Sequence, residues 1–477
     1  MTKLKKQLIF IGVAVVVFAI LITVYLIAVK SPDEEGGNEE IRDEFGMLMK
    51  NDRHFIVDPV EVSDINSIRI HNTNDDYTLI HKSNGAWAFE KASGYEPDAE
   101  KLALLRTNTR YLLAVEYVEN ADLDNLEKYG ISKANPSVWF EVKHDDGAYR
   151  VFIGDKTPDS LGYYAYLEGR DALYILDTGL EQSVLLTLCD FIEPIVSNKL
   201  DSNQTVSLER LSIYKGGDAF LRVDVVKDKL TYGNNSSHRL TYPVSNHATS
   251  LANFNTFLEE MSEITCEKTV LFGEFITDEA LAELGFISGT DEHICDYTLT
   301  AEYPNQDICL HFVENGDDYL IYSESKNIVV SAPKTTFPYL EWELISWVAS
   351  EIYMLDIFDV ESVEFTSPKA YAKFELSGET DIEVKSNGLA IPAEDFKATY
   401  QELMYLLITD WGTAPEDTAE LMRLVITLES GEVLDYSFRA VSAVNSYYTL
   451  NGEGQFYVER EKLMELRALF ESLAGVK

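Results

Sequence analysis

Cysteine, histidine and positive charge are all scarce in this chain of 477 residues, and each shortage removes a class of function. The four cysteines (Cys189, Cys266, Cys295, Cys309) form no CxxC pair and no clustered spacing. That excludes a disulfide scaffold and a zinc ribbon, and free, buried thiols are the expected state. Eight histidines (His54, His71, His81, His144, His238, His247, His293, His311) are scattered without HExxH or HxH spacing. They are expected on surfaces and loops, with no metal site, no cofactor and no catalytic residue assigned. Lys and Arg number 39 against 81 Asp and Glu, a net charge of −42. Such a surface repels phosphate backbones, which argues against nucleic-acid binding.

Catalytic motifs are missing too. There is no GxSxG elbow, Walker loop, GxGxxG turn or DxDxDG calcium loop, although so acidic a chain can attract calcium nonspecifically. An SxxK does occur at Ser323–Lys326, with Lys334-Thr335-Thr336 after it. The enzymes that use SxxK place it at a helix start, whereas here it falls in a hairpin turn. The carboxylate pairs Asp145-Asp146 and Asp317-Asp318 also fall in turns, as expected where acids are abundant.

What is present begins with one long apolar run. Residues 8–29 (LIFIGVAVVVFAILITVYLIAV) carry no charge. At 1.5 Å per residue such a helix spans about 33 Å, enough to cross a bilayer core, and it is longer than the apolar part of a cleaved signal peptide. Lys3, Lys5 and Lys6 precede it, while Asp33, Glu34, Glu35, Glu39 and Glu40 follow. The positive-inside rule therefore predicts a cytoplasmic segment at 1–7, a signal anchor at 8–29 embedded in membrane lipid, and everything later outside the cytoplasm. Residues 30–57 read as an acidic linker, of which 31–50 form a flexible tether of about 25 Å root-mean-square span.

The rest repeats itself. Strand-like segments at 64–72, 207–215 and 359–367 each open a unit. A second strand follows, then a junction marked by Pro97, Pro243 or Pro392. Helical periodicity comes next, and proline is tolerated at a helix start. One face of each helix is apolar: Leu102, Leu105, Thr109 and Leu112; Leu251, Phe254, Leu258 and Met261; Phe396, Tyr400, Leu403 and Leu407. Units one and two then carry an acidic stretch, a short helix and a Gly stop (122–131 and 277–286), which unit three lacks. Alternating strands predict antiparallel meanders at 138–142 and 149–153, 297–301 and 308–313, and 424–428 and 433–438. A Tyr-rich hairpin and a helix close each unit, with turns near 168–171, 324–327 and 451–454. The expected fold class is α+β: an N-terminal transmembrane helix and three related repeats at 58–195, 203–350 and 356–477, each a meander sheet packed by helices.

Several short motifs resemble an uncharacterised bacterial family, domain of unknown function 4340. They are Asn84-Gly85-Ala86-Trp87, Tyr129-Gly130-Ile131, Asn135-Pro136, Ile153-Gly154-Asp155 with Pro158, and Tyr163-Tyr164. The resemblance covers roughly 60–190 best. It implies a single-pass envelope protein accompanying ABC-type transporters, including those similar to gliding-motility export systems, and it supplies no catalytic or ligand residues.

Two functional expectations follow. The first is a non-enzymatic accessory or scaffold subunit of an envelope complex such as an ABC transporter. The second is an extracytoplasmic binding module for cell-wall glycan, peptide or cations. Its candidate surface is the set of hairpin tyrosines Tyr163, Tyr164, Tyr166, Tyr319, Tyr322, Tyr447 and Tyr448.

Overall fold

A computed structural model describes residues 40–226, 236–244, 247–286, 295–413 and 418–475. The candidate span at 8–29 and the tether's first part lie outside these residues. Among the described residues no helix is long and apolar enough to cross a membrane. The chain divides into two compact units, one ending at Leu186 and the other running from Thr187, with the short piece Gly94–Asp98 belonging to the second.

The first unit is built on β1 (Ile65–His71), β2 (Asp76–His81), β3 (Trp87–Phe89), helix α1 (Ala99–Arg110), β4 (Glu116–Tyr117), β5 (Val138–His144), β6 (Gly147–Lys156), β7 (Gly162–Leu167) and β8 (Leu173–Asp177). Its strands lie in the order β3-β2-β1-β5-β6-β7-β8-β4, and every neighbouring pair is antiparallel. Helix α1 carries the chain from one edge of the sheet to the other, where β4 pairs with β8.

The second unit holds two further sheets. One comprises β9 (Arg210–Lys215), β10 (Asp218–Val225), β11 (His238–Tyr242), β12 (His247–Ala248), α2 (Leu251–Ser262), β13 (Lys268–Phe272), the short α3 (Asp278–Glu283), β14 (Tyr297–Tyr303), β15 (Gln306–Asn315), β16 (Asp318–Ser323) and β17 (Ile328–Pro333). The other comprises β18 (Val360–Thr366), β19 (Tyr371–Ser377), β20 (Glu383–Ser386), β21 (Leu389–Ile391), α4 (Ala393–Met404), β22 (Ile408–Trp411), β23 (Glu420–Leu428), β24 (Val433–Ala440), β25 (Asn445–Leu450), β26 (Glu453–Glu459) and α5 (Arg460–Leu473). Their orders are β12-β11-β10-β9-β14-β15-β16-β17-β13 and β21-β20-β19-β18-β23-β24-β25-β26-β22. Apart from the extra edge strands β12 and β21, both repeat the order of the first sheet. The described chain is thus mostly antiparallel meander sheet, repeat-like, with few helices.

Local sequence accounts for much of this. Strands alternate, so Leu221 and Val223 of β10 are buried while Arg222 between them is exposed. Helices bury one stripe: Leu102, Leu105 and Thr109 on α1; Phe254, Phe257, Leu258 and Met261 on α2; Phe396, Thr399, Tyr400 and Leu403 on α4. Two residues assigned to those stripes are exposed instead. Leu251 is the first residue of α2, and Leu407 lies past the end of α4 in the run into β22. Pro97 and Pro392 stand at or just before a helix, whereas Pro243 is separated from α2 by β12.

Two further expectations need correcting. Residues 40–57 are ordered, because their acids are used internally: Asp43 accepts bonds from the amides of Phe45 and Met47 at 2.9 Å, and Asp58 accepts one from Arg42 at 2.8 Å. Phe55 and Ile56 are then buried, with the Ile56 amide donating to the Leu112 carbonyl. The helices expected to close every unit also differ. After β8 and β17 the described chain makes 3-10 turns and one four-residue helix each, Ser202–Thr205 and Leu344–Trp347, whereas β26 leads into a 14-residue helix, α5.

Candidate functional site

Each of the first two sheets has a second apolar cluster. In the first unit, Leu126, Tyr129, Ile131, Phe152, Tyr166 and Leu173 pack together, with Trp139 and Tyr164 against them. In the second sheet the counterpart is Leu281, Phe286, Cys295, Leu320 and Val329, with Val313 and Tyr322. Each covering segment ends at a left-handed glycine, Gly130 at φ 77° and Gly285 at φ 91°.

In the first unit the glycines are also steric. A Cβ on Gly130 would lie 2.4 Å from the Asp155 carboxyl carbon, and one on Gly154 would lie 2.1 Å from the Tyr129 carbonyl oxygen. Tyr129-Gly130-Ile131 and Ile153-Gly154-Asp155 therefore clasp each other, backbone against backbone. In the second sheet a Cβ on Gly285 would lie 3.2 Å from a Val313 methyl, and that valine stands where the first sheet has Gly154.

The same strand positions carry the site. Phe152 pairs across strands with Tyr166, their rings stacked at 6.2 Å, and His311 pairs with Tyr322, stacked at 5.9 Å. Trp139 opposite Phe152 becomes Thr298 opposite His311. Arg150 becomes Cys309, while Glu168 keeps its carboxylate as Glu324.

Around His311 four groups converge. Cys309 Sγ lies 3.6 Å from Nε2, and Glu324 Oε1 lies 2.7 Å from the same nitrogen. Thr298 Oγ1 lies 3.2 Å and Cys295 Sγ 3.7 Å from Nδ1. Alternation along β15 puts Cys309 and His311 on one face, and the β16–β17 turn brings Glu324 beside them. His311 is 8% exposed and Cys295 5%, while the Glu324 side chain is 54% exposed, so the Glu324 side is open to water.

Burial acts against charge on His311, but the neighbouring Cys295, Cys309 and Glu324 outweigh it and hold its pKa up to about 10. Burial likewise acts to raise the Cys295 thiol, yet His311 and Thr298 bring it below the usual thiol range. Cysteine 309, His311 and Glu324 offer sulfur, nitrogen and oxygen atoms all within 4.8 Å of one another.

Sequence reasoning placed histidines on surfaces and missed this group. His238 and His311 are buried, and His247 is half-buried; His293 lies outside the described residues. A cysteine and a histidine two apart in a strand, followed by an acid in the next hairpin turn, was the available signal. All four cysteines are free, as expected.

The tyrosine surface divides. Tyr166, Tyr319, Tyr447 and Tyr448 are buried and offer no binding face, because their rings fill the packing between strands and covering segments. Tyr163, Tyr164 and Tyr322 are half-buried. Tyr164 lines a large open groove in the first unit, about 600 Å³, shared with Asp52, Arg53, His54, Glu116 and Glu119. Ser323 is fully buried with its hydroxyl donating to the Val196 carbonyl, and Lys326 lies in the hairpin turn, so the SxxK has no helix start.

These sheets define a protein of repeated antiparallel meanders. Residues 87–287 match the family model described as Domain of unknown function (DUF4340), so the resemblance carried by the motifs is shown over that stretch. The match starts at Trp87 and continues past Phe286, further into the second sheet than the motifs indicated, and it includes both halves of the glycine clasp. No curated protein and no solved structure matches the chain.

Proposed function

We propose that this chain is a non-enzymatic, single-pass membrane protein whose three related α+β repeats stand outside the cytoplasm as an accessory or scaffold part of an envelope complex. An ABC-type transporter is the partner that the family resemblance implies. The observation that carries this reading is the single strand order used three times in succession. A repeated module multiplies surface for contact, and the described strands are tied together by buried aliphatic and aromatic side chains. The apolar run at 8–29 with its lysine-rich leading side supplies the anchor. Protease added to wall-stripped cells should digest the repeats and spare residues before 30, and crosslinked membranes should yield transporter subunits with the chain. Repeats protected in intact cells, or crosslinked chain without any membrane partner, would overturn this reading.

The alternative, an extracytoplasmic binding module, draws on two observations. Tyr164 lines an acidic groove suited to a glycan or a basic peptide, and His311 gathers ligand-type side chains suited to a cation.

A further inference from the structure

We infer that Cys309, His311 and Glu324 form a binding site for one transition-metal ion of the zinc class. Thiolate sulfur with imidazole nitrogen suits zinc and its neighbours, whereas calcium and magnesium take oxygen donors.

Geometry agrees. A tetrahedral ion holding sulfur at about 2.3 Å and nitrogen at about 2.05 Å sets those atoms about 3.6 Å apart. Cys309 Sγ and His311 Nε2 are 3.6 Å apart. Nitrogen and carboxylate oxygen on the same ion would be about 3.4 Å apart. Glu324 Oε1 now hydrogen-bonds to Nε2 at 2.7 Å, and its exposed side chain has room to withdraw by that small difference.

The other ring nitrogen has its own partners, Thr298 Oγ1 and Cys295 Sγ. That is the outer-shell arrangement which fixes the tautomer and aims Nε2 at an ion. Cys295 is thus a positioning residue and stands outside the ligand set. Three protein ligands leave a fourth position, on the exposed side, for water or for a donor from a partner.

The first sheet provides an internal control. Its equivalent positions hold Arg150, Phe152 and Glu168, with Arg150 3.8 Å from Glu168. One carboxylate is common to both sheets, and the second replaces a guanidinium and a phenyl ring by a thiol and an imidazole. Three donors stand where the first sheet has one. This inference needs neither the anchor nor a transporter.

The test uses the full chain in detergent, stripped with a chelator and titrated with Co²⁺ and then Zn²⁺. One equivalent of Co²⁺ should produce a thiolate-to-cobalt charge-transfer band that Zn²⁺ abolishes. Cys309→Ser should remove the band, and His311→Phe, which installs the first sheet's ring, should weaken Zn²⁺ binding by more than about 100-fold. Cys295→Ser should retain the band with weaker binding. Should a buried substitution disturb far-ultraviolet circular dichroism, the exposed Glu324→Gln replaces it and is expected to cost about 10-fold or more. A wild-type chain without the band, or a band that survives Cys309→Ser unchanged, overturns the site.

Discussion

Gly130 and Gly154 of the first sheet correspond to Gly285 and Val313 of the second, and Arg150 and Phe152 correspond to Cys309 and His311. One strand order therefore supports two different solutions on the same face. In the first, two glycine-centred segments approach to backbone contact, and Arg150 lies over Trp139 at 4.7 Å while bonding Glu141 at 2.7 Å. In the second, a valine holds the covering segment further off, and the space beside it carries thiols and an imidazole. The comparison teaches that the sheet tolerates exchange on this face provided the cover is matched to it.

The largest test concerns the third sheet, the only one followed by a long helix among the described residues. Phe470 of α5 stacks on Phe365 at 5.2 Å and is fully buried. Phe470→Ala should cost about 3–5 kcal/mol in denaturant unfolding, because a cavity forms beside Phe365 and Phe374 in the packing of α5 on the sheet. Next, Gly154→Val writes the second sheet's residue into the first. Its Cβ would collide with the Tyr129 carbonyl and Ile131, so a loss of about 3 kcal/mol is expected. The reverse change, Val313→Gly, should cost about 1 kcal/mol; equal losses would show that the clasp is no tighter than its counterpart.

A pH measurement sharpens the contrast at β12, which the first sheet lacks. His247 Nε2 lies 3.1 Å from the Ala349 carbonyl, and its ring packs on Phe456 at 4.7 Å. Burial, with Arg239 nearby, lowers its pKa from 6.5 to about 4. The folded state disfavours the proton that the unfolded chain accepts, so this stability is complete above 6.5 and is lost as pH falls from 6.5 towards 4. Protection of amides in the second unit, expressed relative to their intrinsic exchange rates, should fall across that window, and His247→Gln should flatten the response. The smallest effect is Arg150→Cys, which removes an ion pair and a cation–π contact at a partly exposed site. About 1 kcal/mol of thermal stability should be lost.

Much of the plan was legible because its causes are local. Hairpin turns at 168–171, 324–327 and 451–454, strand alternation and helix stripes depend on residues close in the chain, and each reads directly from periodicity and turn chemistry. The errors occurred where distant segments decide. Leu251 and Leu407 fit a helical stripe but fall at or beyond helix ends, and Tyr319 looks like a surface tyrosine until Phe312 and Phe337 close over it. Residues 40–57 look like part of an acidic linker until Phe55 and Ile56 find a cover.

The sequence by itself determined the order of elements, their threefold repetition and the family motifs between Asn84 and Tyr164, because hydrogen bonding and apolar periodicity act over a few residues. Only the tertiary structure decided which side chains meet. Cys309 and His311 share a strand, but Cys295, Thr298 and Glu324 reach them through the pairing of β14, β15 and β16. Register across a sheet sets those distances, and it is settled by packing between segments that are far apart in the chain.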